Sequence, residues 1–85
     1  MPQPQIKIFT TSWCAFCKAE KKFLDNHNIK YQTADVEADP AAANEMVHLS
    51  GQMGVPFTVI KKDGGETVGI LGFDQPRLSS ILGIK

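Results

Sequence analysis

The chain has 85 residues, enough for one small domain spanning 1–85. Its formal net charge is zero, and no polybasic run or acidic tail marks a nucleic-acid or anionic-membrane partner. Two cysteines make at most one bridge, which excludes a secreted mini-protein held by several disulfides. No stretch approaches the roughly 20 apolar residues of a membrane span. The opening "MPQPQIKIFTTSW" lacks the apolar core of a signal peptide. The expected location is the cytoplasm, and the expected state a monomer.

In chain order, "QIKIF" alternates, with Ile6 and Ile8 on one face, and predicts a strand near 4–9. "TTSW" is a polar turn. A helix follows over about 14–28, with Ala19, Phe23 and Leu24 inward and Lys18, Lys21, Lys22 and Asp25 outward. Asn28 suits a left-handed cap. "IKYQTADV" predicts a second strand over about 29–35, parallel to the first across the helix. Asp39 and Pro40 open a second helix as N-cap and first helical residue, with Ala43, Met46 and Val47 inward and Gly51 as its stop. "VPFTVI" predicts a third strand led by Pro56. A hairpin turn at Asp63-Gly64 joins it to a fourth strand, "ETVGIL". A last helix is capped by Asp74, with Leu78, Ile81 and Leu82 inward. The order is βαβαββα.

The chemistry sits in "WCAFCK", where Cys14 and Cys17 form a C-x-x-C at the start of the first helix. Unpaired N–H groups and the positive end of the helix dipole favour a thiolate there. Lys18 adds a nearby positive charge, and the second thiol can donate a hydrogen bond to the first. Sites of this kind reach pKa values of about 3.5 to 7.5, against about 8.5 for a free cysteine. The thiolate is the attacking species in thiol–disulfide exchange. Cys14 is therefore expected to be an exposed nucleophile. Cys17, one turn inward and shielded by Trp13 and Phe16, is expected to resolve the mixed disulfide. A structural zinc site would need four ligands, and His27 and His48 do not have finger spacing; no metal is expected.

The segments "WCAFCK", "GVPF" and "GILGFDQPRL" resemble those of glutaredoxin-type members of the thioredoxin superfamily. The resemblance runs from Ile6 to Leu82. It implies an α/β thioredoxin fold: a four-stranded mixed sheet in order 2-1-3-4 flanked by three helices. It also implies a cis Val55-Pro56 bond beside the C-x-x-C, with the backbone of Val55 pairing with an extended substrate. Trp13, Phe16, Lys18, Phe73 and Asp74 complete the expected substrate-binding set, Phe73 as bulk at the rim.

Glutathione-using glutaredoxins usually read C-P-Y-C, with a lysine three residues before the first cysteine, T-V-P at the cis-proline and a terminal acidic pair. Here Ala15, Phe16, Thr11 and Gly54 stand at the corresponding positions, and only Asp74 remains of the pair. The tail and "SGQMGVPF" are similar to small YruB-type glutaredoxin-like proteins and to redoxins that serve ribonucleotide reductase. The function implied is a dithiol–disulfide oxidoreductase acting on protein disulfides, with glutathione mixed disulfides as a second substrate class. It would use no bound cofactor beyond a Cys14–Cys17 redox disulfide, and would take electrons from thioredoxin reductase or glutathione. Two other readings stay open: a glutathione-dependent [2Fe–2S] carrier and a non-enzymatic interaction module.

Overall fold

A computed structural model describes residues 4–52, 54–62 and 65–83. The elements are β1 (Gln5–Thr10), α1 (Ala15–Asn26), β2 (Gln32–Asp35), α2 (Pro40–Ser50), β3 (Phe57–Lys61), β4 (Thr67–Leu71) and α3 (Gln75–Leu82). The four strands form one mixed sheet in the order β2-β1-β3-β4. β1 runs parallel to β2, and β3 is antiparallel to both β1 and β4. This is the expected thioredoxin fold in order and topology. The Asp63-Gly64 turn lies outside the described residues.

Local chemistry explains the ends of the helices. Asp39 accepts from the N–H groups of Ala41 (3.0 Å) and Ala42 (3.4 Å), and Pro40 occupies the first turn, where no intrahelical donor is needed. Gly51 ends α2 in the left-handed region. Asp74 caps α3 by accepting from Arg77 N–H at 3.2 Å. At the end of α1, Asn28 is left-handed (φ 56°). Asn28 N–H donates to the Asp25 carbonyl at 3.1 Å and Ile29 N–H to the Leu24 carbonyl at 3.0 Å. This paired closure is a Schellman motif. It engages Ile29 in the cap, which is why α1 stops at Asn26 and β2 starts at Gln32, both shorter than the sequence pattern suggests.

Strand alternation sends side chains to two layers. Ile6, Ile8, Ile60 and Ile70 meet Leu24 of α1 and Leu78 of α3 on one face. Phe9 and Phe57 meet Ala42 and Met46 of α2 on the other. Two inward expectations are corrected. On α2, Ala42 is buried and Val47 is exposed. On α1, the buried stripe is Cys17, Glu20 and Leu24, while Ala19 faces solvent. The stripe follows helical spacing from Cys17, and the sheet supplies a polar partner that admits a carboxyl at its middle position.

Candidate active site

The site stands where β1 ends. Thr10 and Thr11 are buried, Ser12 and Trp13 turn outward, and Cys14 becomes the N-cap of α1. Cys14 Sγ accepts a hydrogen bond from Cys17 N–H at 3.1 Å. The sulfur thereby takes the place of the usual capping oxygen and satisfies one of the unpaired donors of the first turn. Both cysteines are free thiols.

This geometry corrects the expected exposure of Cys14, whose residue is only 5% exposed. As a cap, its side chain folds back over the first turn instead of projecting from it. Trp13 and Phe16 are the residues that project, at 68% and 67% exposure. Cys17 itself is completely buried, next to the Thr10 side chain and the Thr11 backbone. Burial pushes the Cys17 thiol up, and its contact with the Cys14 thiol pushes the same way, while the two threonine contacts oppose them.

The β1–β3 register ends at Phe9 opposite Phe57. Thr10 and Pro56 therefore continue at the same end of the sheet, and their loops leave it side by side. The Val55-Pro56 bond is cis, as the resemblance implies. Pro56 is buried and Val55 half-buried. The Pro56 carbonyl accepts from Gly72 N–H at 2.8 Å, which ties this loop to the turn after β4. Gly72 holds φ 78°, a conformation that favours glycine.

The remaining expected residues divide. Lys18 is exposed in the first turn of α1, its N–H donating to the Cys14 carbonyl at 3.3 Å. Asp74 serves as the cap of α3. Phe73 is half-buried, packs against the core, and its ring lies 5.8 Å from that of Phe23. A recess of about 430 Å³, lined by Gln5, Lys7, Tyr31 and Lys61 among others, lies at the opposite end of β1, away from the cysteines.

Sequence reasoning missed two features. Gln52 bonds Gly54 from both sides, its carbonyl oxygen accepting from Gly54 N–H and its amide donating to the Gly54 carbonyl at 3.3 Å. It thus fixes the residue before Val55. The other is Glu20, fully buried, whose Oε2 accepts from the Thr58 hydroxyl while Oε1 is buried without a partner. Burial raises its carboxyl from the ordinary 4.5 to about 7, against the opposing effect of the Thr58 bond. The spacing of Glu20 between Cys17 and Leu24 was the available signal. For Gln52 there was none.

A buried C-x-x-C at a helix start, set beside a cis-proline loop on this sheet, agrees with the family comparison. The glutaredoxin family model matches residues 6–64. The chain belongs to the glutaredoxin family. Among curated glutaredoxin relatives, an uncharacterized glutaredoxin-like 8.6 kDa protein in the rubredoxin operon of Clostridium pasteurianum is 36% identical over 77 residues. That match covers 91% of this chain and 96% of the relative. The crystal structure of the thioredoxin-like protein BC3987 is 31% identical with a TM-score of 0.75, covering 91% of this chain and 99% of that one. Methanosarcina acetivorans methanoredoxin shares the fold at a TM-score of 0.82 and 20% identity, covering 96% and 87%. Glutaredoxin membership and this fold support a thiol–disulfide redox function. Among the described residues, no helix is long and apolar enough to cross a membrane.

Proposed function

We propose that this glutaredoxin-family chain is a dithiol–disulfide oxidoreductase that reduces protein disulfides. The observation that carries the reading is the Cys17 N–H bond to Cys14 Sγ at the start of α1. A thiolate accepts that bond better than a thiol does, and the helix terminus favours the same charge. Cys14 thiolate attacks one sulfur of the substrate disulfide, forming a mixed disulfide and expelling the first substrate thiolate. Cys17, after losing its proton, attacks Cys14 Sγ and expels the second. The protein is left with a Cys14–Cys17 disulfide, and the substrate has gained two electrons. Val55 would pair its backbone with the substrate chain, and Trp13 and Phe16 would offer exposed apolar contacts.

The electrons that restore the thiols come, in this reading, from thioredoxin reductase in preference to glutathione. Thr11 occupies the position where glutathione-using relatives carry lysine, and its side chain is buried. It presents no charge to a glutathione carboxylate. Insulin reduction with NADPH and either thioredoxin reductase or glutathione plus its reductase tests both parts. Cys14→Ser should abolish turnover, and Cys17→Ser should accumulate a mixed disulfide. Full activity of Cys14→Ser would remove the proposed nucleophile, and faster turnover with glutathione would reverse the donor assignment.

A further inference from the structure

The cysteines occupy one end of the sheet, and the recess at the other end takes no part in the exchange reaction. Its origin lies in the reach of α2. Phe9, Phe57, Ala34 and Val59 share the sheet face on which α2 packs. Lys7 and then Gln5 continue that face along β1 at the strand period of two, away from the cysteines. The register sets Lys7 beside Gln32 and Val59, and Gln5 beside Lys61. Gln5, Gln32 and Lys61 are exposed, so α2 stops short of this half of the sheet. The uncovered half forms the recess of about 430 Å³. Small-molecule sites typically measure about 300–1,000 Å³.

Lys7 of β1, Lys61 of β3 and Lys30, just before β2, all line the recess, and among the described residues no carboxylate lines it. Two acidic groups stand close by. Glu45 of α2 pairs with Lys7 at 2.6 Å, and Asp25 accepts from the Tyr31 hydroxyl at 3.0 Å. The whole chain is neutral, so this gathering of ammonium groups is a local feature. Tyr31 and Val59, both half-buried, give the recess an apolar wall. Gln5 and Gln32 add side-chain amides, which both donate and accept.

We propose that this recess binds a nucleoside phosphate. Lysine ammonium groups take phosphate oxygens as point charges. An aromatic ring offers a base its stacking face, and glutamine amides suit the polar edge of a base. An inorganic anion alone would leave Tyr31 and Val59 bare. The chain has no polybasic run along which a nucleic-acid strand could lie, which favours a single nucleotide. Glu45 competes with the phosphate for Lys7 and so tunes the affinity. The recess is separate from Cys14 and Cys17, so the proposal stands or falls independently of the oxidoreductase reading.

Calorimetric titration with ATP tests it. Saturable binding is expected, weakening as salt is raised. Lys7→Gln and Lys61→Gln should each weaken it about tenfold, the loss expected for one charged hydrogen bond. Glu45→Gln should strengthen it, because Lys7 is released to the phosphate. Adenosine and tripolyphosphate should each bind at least about tenfold more weakly than ATP. In the NMR spectrum of the wild type, ATP should shift the amides of Gln5, Lys7, Gln32 and Lys61 and leave those of Cys14 and Cys17 in place. No saturable binding at millimolar ATP, lysine variants that match the wild type, or shifts gathered at the cysteines would overturn the proposal. Tripolyphosphate binding as tightly as ATP would overturn it too, since the base would then go unread. A single-stranded oligonucleotide that binds more tightly than ATP would overturn it in favour of a nucleic-acid surface.

Discussion

Glu20 on α1 and Thr58 on β3 are joined by a side-chain hydrogen bond in the core, 38 residues apart in the sequence. The bond places a carboxyl where helix spacing alone would ask for an apolar side chain. It satisfies one of the two carboxyl oxygens. A half-satisfied buried acid costs stability, and that cost depends on its charge.

Stability should therefore fall as pH rises. The folded carboxyl titrates at about 7 against an ordinary 4.5, so the folded state binds its proton more tightly than the unfolded chain. The contribution is fully present below the unfolded value and is lost as pH passes through about 7. Its size is on the order of 3 kcal/mol. Urea unfolding at pH 5 and pH 8.5 should show this loss in the wild type and a much flatter profile in Glu20→Gln.

Thr58→Val should destabilise, and more so at alkaline pH. The hydroxyl donates to the carboxylate, so its removal raises the Glu20 midpoint further and leaves a second oxygen unpartnered. A cost of about 1–3 kcal/mol is expected above neutrality. Equal losses at pH 5 and pH 8.5 would separate the effect from Glu20.

Gly69→Ala should destabilise by overpacking. A Cβ at Gly69 would lie 2.9 Å from Phe57 Cζ, and Phe57 is buried in a stack with Phe9 at 6.1 Å between centroids. The ring has little room to yield. A loss of about 1–3 kcal/mol in chemical denaturation is expected.

Trp13→Ala and Phe16→Ala should behave in the opposite way. Both side chains are largely exposed, so stability should change by no more than about 0.5 kcal/mol. If they contact substrate, the KM for a protein disulfide should rise several-fold in each. An unchanged KM would take both residues out of the binding surface.

Gln52→Ala should lower kcat/KM with only a modest stability loss, of about 1 kcal/mol. The amide that bonds Gly54 from both sides would be gone, and the segment leading to Val55 would sample more conformations. Steady-state reduction of a protein disulfide measures it.

Features that depend on near neighbours along the chain were legible in the sequence. Asp39-Pro40, Asn28 and Asp74 each cap a helix through contacts within a few residues, and each stands where its local pattern placed it. The C-x-x-C and the alternation of β1 were legible for the same reason. The tertiary structure decided which side of each helix turns inward and what can be tolerated there. Glu20 replaces Ala19 in the core because Thr58 waits across the interface, and Phe73 packs its ring beside that of Phe23. Cys14 is a buried cap and not a projecting thiol, because its sulfur closes on Cys17 N–H once the first turn of α1 has formed. Periodicity marks a stripe to within one position, but a polar side chain is admitted to the core only by a partner that folding brings beside it.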